Sequence, residues 1–148
     1  MSGLRERLGT GAKRAEVIAD ACIILDQEVA DKSGISGIAI KTAYSVVKGI
    51  RPGFIQQAVD HLLDEFLDQL DPFHSEAVNK GISPGSHLIA NASQAADALL
   101  VVTDRRAAAA ERGILRKTYE KLRPAAHKQV QLAVPRVGAL LDKHAPAD

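Results

Sequence analysis

A single cysteine, no tryptophan, one methionine and 3% aromatic residues in 148 positions close off several possibilities. One thiol forms no internal disulfide, and Cys22, set among apolar neighbours on an expected helix, reads as a small buried hydrophobe. The scarcity of rings leaves the core to Ile, Leu, Val and Ala and gives no aromatic interleaving for stacking on bases. β-Branched runs are short, such as Val46-Val47 and Val101-Val102, and both lie inside a helical periodicity, so no segment reads as a strand. Asp26 and Asp97 interrupt the longest apolar stretches before either reaches the length of a membrane span. Residues 1–7 mix charges without an apolar centre, so no signal peptide is expected there and the protein is expected to be cytoplasmic. Gly9-Thr10-Gly11-Ala12 is too short to cradle a phosphate and is not followed by Lys-Ser/Thr.

What is present is ordinary globular composition, 46% hydrophobic and 25% charged, at a length that fits one domain over residues 1–148 with no need of metal or disulfide. The net charge of +1 hides an asymmetry. Residues 1–74 carry 8 basic against 11 acidic side chains, residues 75–148 carry 11 against 7, so the two halves have opposite signs and could attract one another.

Periodicity predicts helices throughout. A short turn over residues 4–8 ends at Gly9, and Gly11 adds a second break. Ile18, Ala21, Cys22, Leu25 and Val29 share one face of a helix over about 14–31. After the glycine-serine loop at 32–37, Ile38, Ala39, Ala43, Val46, Val47 and Ile50 predict a second helix, closed by Gly49 and Pro52. A third, with Pro52 in its first turn, places Ile55, Val59, Leu62, Leu63, Phe66 and Leu70 within an arc of about 100°. Asp71-Pro72 and Ser83-Pro84 each offer an N-cap with proline at the first helical position, which predicts a short helix up to Gly81 and a new start at Ser83. Leu88, Ile89, Ala92, Ala96, Leu99 and Leu100 predict one helix, and Ile114, Leu115, Thr118 and Leu122 the next. Joining these two would push Glu111 into the apolar stripe, so a break is expected near Arg112-Gly113. After Arg123-Pro124 a last helix to about Lys143 turns Val130, Ala133, Val134, Val137 and Leu141 inward. A kink is expected at Pro135 and a frayed tail after His144.

The two halves also repeat. Ile18-Ala19-Asp20-Ala21 with Asp26 returns as Ile89-Ala90-Asn91-Ala92 with Asp97, displaced by 71, and Arg51-Pro52 returns as Arg123-Pro124, displaced by 72. The chain's only two tyrosines, Tyr44 and Tyr119, fall at matched positions. These rare residues predict an all-α bundle of about six main helices plus short connectors, built as two similar three-helix units, roughly 4–71 and 73–144, in a pseudo-twofold relation around one core.

Candidate chemistry is sparse. Asp60, His61, Asp64, Glu65 and Asp68 share a helix, yet the matched positions of the second unit add no metal ligand, so the group reads as a solvated acidic face and no metal or cofactor is expected. Arg105, Arg112, Arg116 and Arg123 would line up along an unbroken helix in a way that suits phosphates, though the break at Arg112-Gly113 spoils the alignment. Lys41 and Tyr44, with their counterparts Lys117 and Tyr119, could face a cleft between the units in which Arg51 and Arg123 hold an anion. His61, His74, His87, His127 and His144 are dispersed and suggest no catalytic set.

The segment 28–34 with Gly37 and Lys41, continuing through Arg51-Pro52-Gly53 and Leu70-Asp71-Pro72, and again Tyr119-Glu120-Lys121-Leu122-Arg123-Pro124, resembles an uncharacterised family of small bacterial proteins known as a domain of unknown function. The likeness covers nearly the whole chain. It implies a freestanding bacterial, cytoplasmic protein and brings no catalytic residues. On the residues alone, the first expectation is a non-enzymatic interaction or scaffold protein, acting as a homodimer or with a protein partner. The second is a binder of a small apolar or anionic ligand between the units, and nucleic-acid binding comes third.

Overall fold

Seven α-helices and no strand make up residues 3–147, the part of the chain that the computed structural model describes. Met1, Ser2 and Asp148, the ends of the expected 1–148 domain, lie outside the described residues. The helices are α1 (Leu4–Leu8), α2 (Gly11–Asp31), α3 (Gly34–Lys48), α4 (Phe54–Lys80), α5 (Pro84–Ala90), α6 (Ala92–Ala108) and α7 (Gly113–His144).

Several expected boundaries move, each for a local reason. The second helix starts at Gly34 instead of Ile38, because Lys32 and Ser33 alone make the corner. Gly37 lies inside α3, so close to α2 that a Cβ there would come within 2.7 Å of the Lys32 carbonyl carbon. Pro52 stays in the turn ahead of α4, since Gly53 with φ +75° reverses the chain and Phe54 is the first helical residue. Asp71-Pro72 starts no helix, for α4 runs through it. The Asp71 carboxylate, expected to cap a helix of its own, accepts the Leu4 amide at 3.1 Å across the bundle. Leu70, His74 and Ala77, buried on either side of Pro72, hold that helix against the loss of one backbone hydrogen bond. Likewise α7 continues through Pro124 and Pro135, merging two expected helices.

Elsewhere an expected single helix is divided. Asn91 ends α5, its side-chain amide donating to the His87 carbonyl at 2.9 Å. Gly81, at φ +70°, closes α4 in a Schellman arrangement, with Gly81 N–H donating to Val78 and Ile82 N–H to Ala77. The break expected near Arg112-Gly113 is present between α6 and α7. Of the tail expected to fray after His144, Ala145 is held: it is wholly enclosed, and His74 Nε2 lies 2.7 Å from its carbonyl oxygen and donates to it.

Packing is uneven along the bundle. Leu4, Leu8, Val17, Ile18, Leu63, Leu67, Leu70, Leu88, Ala95, Val134, Leu141 and Ala145 form one closed aliphatic core at one end. Cys22 packs against it half-buried, and that burial pushes its thiol pKa up. There α5 crosses α7 glycine to glycine, and a Cβ on Gly85 would sit 2.8 Å from the Gly138 carbonyl oxygen. Asp142 of α7 accepts the Gly85 amide at 2.8 Å. At the other end, Gly37 is the only buried residue between 19 and 62, and no residue from 103 to 133 is buried.

The acidic face of α4 is solvated, as expected, and its carboxylates also pair with cations of neighbouring helices. Arg14 of α2 reaches Asp60 at 2.9 Å and Asp64 at 2.8 Å, Arg5 reaches Asp68, and Arg106 reaches Glu65 at 3.1 Å. These pairs stitch α1, α2 and α6 to α4.

Candidate functional site

The open end is built by small side chains on facing helices. Ala58 of α4 and Ala107 of α6, with Ala110 in the turn that follows, occupy positions where leucines would close the bundle, and the space they leave is a cavity of about 370 Å³. Val47 of α3, Phe54 and Leu62 of α4, and Leu115 and Leu122 of α7 complete an almost wholly apolar wall. His61, Thr103, Arg106, Thr118 and Tyr119 supply its few polar groups. A second apolar cavity of about 170 Å³ lies between α2, α3 and α7, lined by Val29, Ile40, Ala43 and Tyr44. Val47, Thr118 and Leu122 belong to both linings, so the two spaces are lobes on either side of one layer of side chains.

The tyrosines offer these lobes their rings and keep their hydroxyls elsewhere. Tyr44 donates to Asp26 of α2 at 2.6 Å. Tyr119 donates to Asp104 of α6, which leaves the Thr103 hydroxyl, 2.8 Å away, to donate to the phenolic oxygen. Burial, and then the neighbouring carboxylate, raises both phenol pKa values, that of Tyr44 strongly. Arg123 grips Asp104 through Nε at 2.8 Å and Nη2 at 3.2 Å, and together with Tyr119 it holds that carboxyl below its usual range. Both phenols therefore stay neutral, and the lobes present apolar surface suited to binding by exclusion of water.

Of the residues singled out from the sequence, Tyr44 and Tyr119 come to adjacent lobes, while Lys41 and Lys117 stand exposed outside both linings. Arg51 lies over the Phe54 ring, 5.2 Å from its centroid, with Gln57 as its hydrogen-bond partner. Arg123 is committed to Asp104. Arg105 is on α6, Arg112 in the turn, and Arg116 and Arg123 on α7, so the four do not share a helix. Arg116 donates to the Ala110 carbonyl. The sequence reading assigned Phe54, Ala58, Leu62, Arg106 and Ala107 to no site; Leu62 was expected only as part of an apolar helix face, and the run of alanines at 107–110 was the one further signal.

Two other recesses are lined by charged residues that pair with one another. One of about 580 Å³ is lined by Glu28, Asp31, Lys32 and Arg136, which pair with one another. Another of about 460 Å³ is lined by Arg14 and Asp60, also a pair. Among the described residues no group of three His, Cys, Asp or Glu side chains is placed to hold a metal ion, and no helix is long and apolar enough to cross a membrane.

Residues 4–145 match the model of a family of unknown function (DUF6918). No curated protein and no solved structure matches the chain.

Proposed function

This chain belongs to the family of unknown function (DUF6918), and from that premise we propose that its fold serves non-covalent binding of a small, mainly apolar ligand at the open end of the bundle. The observation that carries this reading is the cavity of about 370 Å³ walled by Val47, Phe54, Leu62, Leu115 and Leu122, inside the size range of small-molecule sites. Filling it is the test. Nile red should bind the native chain saturably, and the double variant Ala58→Leu/Ala107→Leu should stay helical by circular dichroism and lose that binding. A native chain that takes up no dye, or a folded, filled variant that takes up as much, removes the proposal.

A second reading, as a scaffold acting through a homodimer or a protein partner, draws support from Ile35 and Ile38 of α3, 89% and 68% exposed. Size-exclusion with light scattering separates the two: a strict monomer, unchanged by Ile35→Ser/Ile38→Ser, speaks against self-association. Nucleic-acid binding is not proposed, since Arg123 is neutralised by Asp104 and the remaining arginines are divided between two helices and a turn.

The ligand reading also takes the cleft as the junction of a duplicated three-helix module in a cytoplasmic bacterial protein. In support, each tyrosine bonds an aspartate on the helix before its own, although Asp104 stands seven residues beyond Asp97, the match of Asp26. A fragment of residues 73–144 that folds by pairing with itself would carry the duplication, and one that stays unfolded at every concentration would count against it.

A further inference from the structure

We infer that the ligand of the open end is a linear amphiphile whose hydrocarbon chain threads both apolar lobes and whose head group is anionic. The inference rests on the ligand-binding reading above and adds the shape and charge of the ligand. Shape comes from the two lobes. Val47, Thr118 and Leu122 form the one wall they share, so an occupant of both must slip between these three side chains and be narrow there. A flexible chain meets that condition, whereas a fused ring system would occupy the larger lobe alone.

Charge comes from the rim. Lys48 Nζ lies 5.2 Å from the centroid of Tyr44, a wall of the smaller lobe, and Arg51 Cζ lies 5.2 Å from the centroid of Phe54, a wall of the larger one. Neither cation has a carboxylate partner among the described residues, and Arg51 is held by the neutral Gln57 side chain. Two of the rim carboxylates are paired with cations, Glu65 with Arg106 and Asp104 with Arg123, while Asp26 accepts the Tyr44 hydroxyl and keeps its negative charge. Lys48 and Arg51 are thus two cations without a carboxylate partner, three residues apart in sequence, and each lies over an aromatic ring that bounds the apolar space. An anionic head beside them gains charge complementarity while its chain leaves water.

The test is displacement of Nile red by probes of one chain length, below their micellar concentrations: dodecanoate, dodecanol and dodecyltrimethylammonium. Dodecanoate is expected to bind about fivefold more tightly than dodecanol at low salt, with dodecyltrimethylammonium weaker than both. From octanoate to dodecanoate, affinity is expected to rise about fourfold per methylene. Lys48→Gln/Arg51→Gln, both at exposed positions, should erase the preference for dodecanoate and leave dodecanol binding unchanged. If dodecanol binds as well as dodecanoate, or the double variant keeps the preference, the anionic head is refuted while the apolar site stands. An affinity that does not change with chain length refutes threading. Failure of the native chain to bind Nile red overturns the ligand-binding reading itself, and this inference with it.

Discussion

Single side chains decide how closely the helices approach, and the Gly85–Gly138 crossing is the tightest case. A methyl group at Gly85 would lie 2.3 Å from Asp142 Oδ2 as well as 2.8 Å from the Gly138 carbonyl, so α5 would have to move away from α7. Asp142 would then lose its bond to the Gly85 amide. Gly85→Ala is expected to cost about 1–3 kcal/mol, the usual range for overpacking, read as a lower midpoint in urea unfolding. Gly113→Ala, where only the tip of Arg116 comes within 4.0 Å, is expected to be neutral or slightly stabilising and serves as the control. Nothing in the sequence separates these two glycines. The difference lies in which helix crosses which, information that a one-dimensional pattern does not contain.

Among the elements, the contrast between the α3–α4 turn and the unbroken α7 turns on one residue. Arg51-Pro52 is followed by Gly53, and Arg123-Pro124 by Ala125. Gly53 adopts φ +75°, a conformation costly for a residue with a Cβ, whereas Ala125 continues the helix. Gly53→Ala is therefore expected to destabilise by about 1–2 kcal/mol and to shift the relation of α3 to α4, seen as altered amide chemical shifts from residues 47 to 58. The helical class and most apolar faces were legible in the sequence, because i, i+3, i+4 spacing survives any arrangement: Leu63, Leu70, Val134 and Leu141 were expected inward and are buried. Boundaries at prolines were legible in part: Ser83-Pro84 starts α5 as expected, whereas Pro72 and Pro124, which looked like helix starts, each sit on an exposed face within a long helix. The candidate site was legible only through its tyrosines. Its walls depend on alanines that look alike whether they permit close packing, as Ala95 does, or leave space, as Ala58 does.

Across the whole molecule, the opposite charges of the two halves reappear as ion pairs of a single polarity. Arg106 to Glu65, Arg136 to Glu28 and Asp31, and Lys143 to Asp20 each join a cation from the second half to a carboxylate of the first. Lys143, followed by His144, holds the Asp20 carboxyl below its ordinary 3.8, as Arg123 and Tyr119 do for Asp104. A carboxyl lowered in the folded state stabilises above its unfolded pKa, and that contribution is lost as pH falls through the folded value. Thermal stability is thus expected to decline below about pH 4, and Asp20→Asn and Asp104→Asn should each flatten the acid side of a melting profile. An unchanged acid profile in both variants would show that these pairs contribute nothing to the pH dependence.

The clips at residues 4 and 145 have a topological consequence. Leu4 docks on Asp71 and Ala145 on His74, positions one turn apart on the same stretch of α4, so these two points of the chain lie side by side. A short flexible peptide joining them would close the backbone into a ring, and new termini could be cut into the exposed turn at 109–112 on the far side of the molecule. Such a circular permutant should retain the native circular dichroism spectrum, with its fresh ends beside the cleft.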